Sequence, residues 1–150
     1  MSSSTREEAV AAYDALRDAV SGVQALILDG LTSREWMALS DSHEAEMRRM
    51  QAARHPLLNL LAAHATTEEL GDKLDMALAN RLRISPNEAR KRIEDAADLG
   101  PRRSLTGEPL APTLGATAKA QRDGRIGQEH VRVIRSFWAK VPGCPTVARH

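Results

Sequence analysis

Aromatic residues are scarce: Tyr13, Trp36, Phe137 and Trp138 are the only four in 150 residues. So few rings provide little stacking platform for the bases of a single strand, and any nucleic-acid partner is therefore expected to be duplex DNA. Cysteine is scarcer still. Cys144 stands alone and can close neither an internal disulfide nor a four-ligand zinc site, so a buried or incidental thiol is its expected state. No apolar run approaches the roughly 18 to 20 residues needed to span a bilayer. The opening Met1-Ser2-Ser3-Ser4-Thr5 also lacks the basic-then-apolar layout of a secretory signal. The expectation is a cytoplasmic protein with no membrane partner. Period-2 alternation, internal repeats and low-complexity tracts are missing too, which leaves an all-α fold as the expected class.

What is present suffices for a folded chain, with 42% apolar residues to bury. The net charge of +1 conceals an asymmetry. Residues 1–80 carry 7 Lys/Arg against 13 Asp/Glu, and residues 81–150 carry 14 against 7, so the halves stand near −6 and +7. Such a split fits a basic region that meets nucleic acid, and equally two halves that attract one another inside the fold.

Helix signals run the length of the chain. Ser4 or Thr5, with Glu7 or Glu8 three residues on, forms a capping box before an apolar line of Ala9, Tyr13, Leu16, Val20, Val23 and Ile27. That 4-3 spacing predicts a stripe able to drive a homodimer through the N-terminal helices. After Asp29-Gly30, a second box at Thr32-Ser33-Arg34-Glu35 precedes Trp36 and Leu39. A third helical stretch is predicted from about Asp41 through Met47, Met50, Leu57 and Leu61, broken near His55 by Pro56. Thr66-Thr67-Glu68-Glu69 caps a further helix in which Leu70, Leu74, Leu78 and Leu82 recur every four residues.

The sharpest local signal follows. Ser85 as N-cap, Pro86 at the first helical position and Glu88 at the third coincide, and the helix they open stops at Leu99-Gly100-Pro101. Residues 100–112, with three prolines and two glycines, read as a loop. Two more helices are predicted, from about Thr113 to Arg122 and from about Gln128 to Lys140, joined by a turn at Asp123-Gly124.

Leu74 to Leu99 thus forms a pair of helices with a tight turn, in the manner of a helix-turn-helix. In such motifs the start of the second helix meets base edges while flanking cations hold phosphates. Asn87, Arg90 and Lys91 are the base-facing candidates, and Arg81, Arg83 and Arg92 the phosphate candidates. The bland alternative is a solvated helical hairpin, since Glu88–Arg92, Arg90–Glu94 and Lys91–Asp95 are opposite charges four residues apart. Arg83 also stands where many such turns carry glycine.

Other candidates are weaker. His130 beside Glu129 resembles a general base only superficially, because adjacent helical residues do not face each other. Gly124 and Gly127 lack the strand and lysine of a phosphate loop and read as a tight turn. Trp36, Met37, Met47 and Met50 are expected to serve helix packing. No cofactor, metal site or small-molecule substrate is expected.

The stretch Leu78-Ala79-Asn80-Arg81-Leu82-Arg83-Ile84-Ser85-Pro86-Asn87-Glu88-Ala89-Arg90-Lys91-Arg92-Ile93, the segment Asp98 to Leu110 and the string Ala116 to Val131 resemble the actinobacterial 13E12 repeat family, which carries a domain of unknown function numbered 222. The resemblance covers about Ala65 to Pro142 well and is weaker in the N-terminal helices. It implies a DNA-linked setting, since many members continue into an HNH nuclease domain and lie in mobile-element-like loci. It does not carry catalysis over. The five histidines, at positions 43, 55, 64, 130 and 150, show no metal-ligand spacing, and Cys144 has no partner. The chain is expected to correspond to the N-terminal portion of such proteins, truncated or excised, and not to be an enzyme.

Two parts are expected: an amphipathic helical arm over 1–65, and a compact helical module over 66–150 that contains the helix-turn-helix-like segment 74–99. The leading functional expectation is a non-catalytic DNA-binding module. The alternative is a helical interaction or dimerisation module without nucleic-acid contact.

Overall fold

The computed structural model describes residues 2–143, and the fold is mostly α-helical. The chain divides into two compact units, Met1–Leu39 and Ser40–His150. The sequence reading placed this division near residue 65. It falls earlier because Ala52, His55 and Leu58 are buried, and Leu58 shares a core with Leu78, Ala79, Ala89 and Ala96.

In the first unit, α1 (Arg6–Gln24) begins at the expected capping box. The Thr5 amide donates to Glu8 Oε2 at 2.7 Å, and the Glu8 amide donates to Thr5 Oγ1 at 3.1 Å. The apolar stripe lies on the helix as the spacing predicts, but no residue of α1 is buried. The helix also stops before Ile27, which is 88% exposed. The second box forms as well, with reciprocal bonds between Thr32 and Glu35.

From that box α2 (Ser33–Ala53) runs without a break, so the two stretches expected after Thr32 and Asp41 are one helix. No proline or glycine lies between them to stop it. The Trp36 indole donates to the Leu28 carbonyl at 2.8 Å, and Met37 and Met47 are exposed instead of packed.

In the second unit, α3 (His55–His64) starts at the break predicted from Pro56. The single helix expected from Thr66 to Leu82 is two. A short α4 (Thr67–Leu70) ends at Gly71, whose φ of 79° is left-handed, and α5 (Leu74–Leu82) begins afresh. Leu70 therefore leaves the leucine row that the four-residue spacing suggested. Arg83, Ile84 and Ser85 link α5 to α6 (Pro86–Leu99), with the boundaries read from the sequence. Next, β1 (Arg102–Arg103) and β2 (Pro109–Leu110) pair antiparallel, with Arg102 opposite Leu110. Two-residue strands are too short to show any periodicity, which is why this stretch reads as loop. The last two elements among the described residues are α7 (Gly115–Arg122) and α8 (Gln128–Trp138), each slightly shorter than predicted.

Helix α6 is the hub. Ala89 and Ala96 are fully buried, and their small side chains let α3 and α5 lie close against it. A second cluster of Leu99, Ala118 and Val131 joins its far end to α7 and α8. Gly100 terminates α6 in extended backbone (φ −82°, ψ 167°), so its role is not the left-handed cap that a terminal glycine usually supplies. It is close approach. A Cβ there would stand 2.2 Å from Asn59 Nδ2 and 2.6 Å from the Ala96 carbonyl, the pair whose 2.8 Å hydrogen bond ties α3 to the end of α6.

Gly100→Ala is accordingly expected to destabilise the protein by about 1 to 3 kcal/mol, the usual range for overpacking. The midpoint of urea unfolding measures this, and an unchanged midpoint would contradict the tight α3–α6 approach.

Candidate nucleic-acid interface

Charge on α6 is sorted by face. Glu88, Asp95 and Asp98 stand seven and three residues apart, which places them along one side of the helix. Asp95 and Asp98 are 1% and 3% exposed, and burial of such carboxylates requires partners. The partners come from α8, where Arg132 and Arg135 also stand three apart. Arg135 Nη1 donates to Asp95 Oδ1 at 3.0 Å, and its Nε donates to Asp98 Oδ2. Arg132 Nη2 bridges both Glu88 oxygens at 3.0 Å each, while its Nε lies 3.7 Å from Asp95 Oδ2. Arg92, from α6 itself, donates to Glu88 Oε1 at 2.9 Å.

Burial pushes the Asp95 carboxyl above its ordinary range despite the pull of Arg135 and Arg132. Burial also pushes Glu88 upward, but its bonds from Arg132 and Arg92 outweigh this and leave it below the ordinary value. Arg54, at the α2–α3 junction, is lowered by burial and by neighbouring Arg92, and it donates to Gln128 Oε1 at 2.9 Å.

The face of α6 turned away from Ala89 and Ala96 is open. Asn87, Arg90, Lys91, Glu94 and Ala97 are exposed at the i, i+3, i+4, i+7 and i+10 positions of a single stripe. The three base-facing candidates therefore share one surface. Of the three intrahelical ion pairs expected, only Glu88–Arg92 forms. Arg90 instead meets Asp75 of α5 at 3.6 Å, Glu94 lies 3.7 Å from Arg135, and Asp95 is held inside. Among the phosphate candidates, Arg81 and Arg83 are exposed, whereas the Arg92 side chain is 23% exposed and engaged with Glu88. Among the described residues, the side chains of Arg81, Arg83, Asn87 and Lys91 have no hydrogen-bond or ion-pair partner. Arg83 has a φ of 55°, the one non-glycine described residue with positive φ.

Ser85 caps α6 by accepting from the Glu88 amide at 3.0 Å, but the Glu88 carboxylate does not return the bond because Arg92 and Arg132 hold it. Asp98, Arg132 and Arg135 do not stand out in the sequence, and Glu88 and Asp95 do so only as a helix-start signal and as partners within their own helix. The signal was available in matching spacings, acids at i, i+7 and i+10 on one helix and arginines at i and i+3 on another.

Two further polar features are structural. His55 is 3% exposed, and its Nε2 lies 2.7 Å from Gln121 Oε1, so a neutral Nε2–H tautomer donates to the amide oxygen while Nδ1 has no partner. Burial lowers its pKa. His130 Nδ1 accepts from the Gly127 amide at 3.2 Å and so helps cap α8, a role distinct from acid–base chemistry. Gly124, with φ 76°, makes the tight turn expected there, and a Cβ on it would meet the Ala45 carbonyl at 2.8 Å. Among the described residues no group of three His, Cys, Asp or Glu is placed to hold a metal, and no helix is long and apolar enough to cross a membrane.

This is a mostly helical protein whose central helix buries an acidic side against arginines and presents Asn87, Arg90, Lys91 and Glu94 on an exposed one. The chain belongs to the family described as Domain of unknown function (DUF222), whose model matches residues 37–149. It is similar to an uncharacterized protein of Mycobacterium tuberculosis strain CDC 1551, at 50% identity over 139 residues, covering 93% of this chain and 33% of that protein. A second uncharacterized protein, from strain H37Rv, is 53% identical over 142 residues, 95% of this chain and 31% of the relative. A third, from Mycobacterium bovis, is 52% identical over 141 residues, 94% and 31%. The chain spans about a third of the length of the curated relatives it matches. No solved structure matches it.

Removing Arg135 leaves buried Asp98 without a cation and Asp95 with Arg132 alone at 3.7 Å, so Arg135→Ala is expected to cost about 3 to 5 kcal/mol in denaturant unfolding. Combining Arg135→Met with Asp95→Asn and Asp98→Asn should recover most of that loss. For His55 the folded pKa lies below the ordinary 6.5, so its contribution is complete above that value and is lost as pH falls through and below it. Asp95, whose pKa is raised, works in the opposite sense. Thermal unfolding at pH 7.5 and 5.5 is expected to show a drop in the wild type that His55→Gln reduces.

Proposed function

We propose that this chain supplies a non-catalytic, duplex-DNA-binding module in which α5 and α6 act as a helix-turn-helix, with α6 entering the major groove. The observation that carries this reading is the sorting of charge on α6. Its carboxylates at 88, 95 and 98 are consumed inside by Arg132 and Arg135, so the outward stripe carries Asn87, Arg90 and Lys91, with Glu94 as its one acid, beside the free cations Arg81 and Arg83. Exposed cations near the start of a helix suit phosphate, and an amide and a guanidinium on one stripe suit base edges.

The internal counter-charge alternative is less well supported. Among the described residues a single ion pair, Asp75–Arg90, joins the acidic 1–80 half to the basic remainder. In the reading advanced here the module works in the cytoplasm as part of an HNH-nuclease-associated, mobile-element-linked group, and has no chemistry of its own. The whole protein's activity would lie in regions beyond those matched here.

A second reading, a protein–protein or dimerisation module, rests on α1. Its Tyr13, Val20 and Val23 are all exposed, and two copies joined along that stripe would also place two modules on one duplex.

The test is titration of random-sequence duplex DNA at 50 and 200 mM salt. With three or four phosphate contacts, affinity is expected to fall roughly 40- to 150-fold between the two. The double substitution Arg90→Glu with Lys91→Glu should abolish binding with little change in melting temperature. Absence of any binding at low salt would overturn the DNA reading, and sedimentation would then decide whether α1 drives self-association.

A further inference from the structure

The pairing of Arg90 differs from what its own helix offers. Glu94, four residues on and favourably placed, is drawn toward Arg135, and Arg90 is met from a neighbouring helix by Asp75. Asp75 is itself fixed: it sits in the first turn of α5, its side chain is 23% exposed, and its Oδ1 accepts from the Met76 amide at 2.9 Å. The Arg90 side chain remains 55% exposed, and at 3.6 Å the carboxylate takes up no close hydrogen bond from it. A guanidinium has five N–H groups in a planar fork. A carboxylate on one side therefore orients the fork without consuming it.

We propose that Arg90 is a guanine-reading side chain and that Asp75 is its positioning residue. The inference rests on the DNA reading and extends it to base preference. Guanine is the partner because its N7 and O6 acceptors in the major groove match two parallel N–H donors of an arginine fork, whereas adenine offers an acceptor beside a donor. The flexible Lys91, one position further round the stripe and with no partner among the described residues, is a point charge and serves phosphate.

Arg83 supports the same division. It holds a left-handed backbone conformation that glycine would adopt at lower cost, and so keeps a cation at the turn immediately before α6.

Repeated selection of bound duplexes from a random pool, followed by titration of the enriched duplex and of the same duplex with 7-deazaguanine for guanine, tests this directly. Wild type should enrich at least one guanine position, and loss of N7 there should weaken binding by at least about fivefold. Arg90→Lys keeps the charge and loses the fork, so it should bind DNA yet lose the guanine preference. Asp75→Asn should lose much of the preference while non-specific affinity and melting temperature stay close to wild type. Lys91→Ala and Arg83→Gly should weaken binding uniformly across sequences, and Arg83→Gly should not lower the melting temperature.

If wild type binds duplex DNA but enriches no guanine sensitive to Arg90→Lys, the base assignment fails and the DNA reading stands. If Asp75→Asn leaves the preference intact, the positioning role fails. If wild type binds no duplex, both this assignment and the reading beneath it fall.

Discussion

The fold of the second unit depends on two arginines of α8 meeting three carboxylates of α6. Apolar burial along α6 is modest, because alanines at 89 and 96 bring neighbouring helices close but remove little surface from water. The side of α6 facing α8 is charged, and burying those charges is favourable only when each finds its partner. Arg132 and Arg135 supply them with bidentate and paired geometry, and Arg92 completes the coordination of Glu88. The same pairing shapes what faces out, since Glu88 and Asp95, three residues before and four after Lys91, are held by arginines of the fold.

Local signals in the chain were legible where a residue acts on its own backbone. Thr5 with Glu8, Thr32 with Glu35, and Ser85 with Pro86 each marked a helix start correctly, because capping is decided within four residues. Pro56 marked the α2–α3 break for the same reason. What was misread required information from elsewhere in the fold. The leucine row from 70 to 82 suggested one helix, but Gly71 in left-handed backbone ends α4 and Leu70 leaves the row. The division near residue 65 failed because Leu58 packs with α5 and α6, a contact that no local pattern announces.

The candidate surface shows the same contrast. Asn87, Arg90 and Lys91 were recognisable from helical spacing and do share an exposed stripe. The i, i+4 rule then misassigned their ion pairs, because Asp75 on α5 and Arg135 on α8 offer partners that α6 alone does not reveal. Spacing identifies which residues can meet along a helix. The choice among them is tertiary. In the mycobacterial relatives the stretch that matches this chain is about a third of the whole length.

The charged seam between α6 and α8 also acts as a register key. A hydrophobic contact tolerates a small rotation or slide with gradual loss, but a turn of α6 about its axis would strand Asp95 or Asp98 in the interior opposite no cation. The rotational setting of α6 is thus quantised by charge. Its outward stripe is held at one angle before any partner arrives, so little ordering remains for association to supply, and a partner fitted to that angle would dissociate slowly.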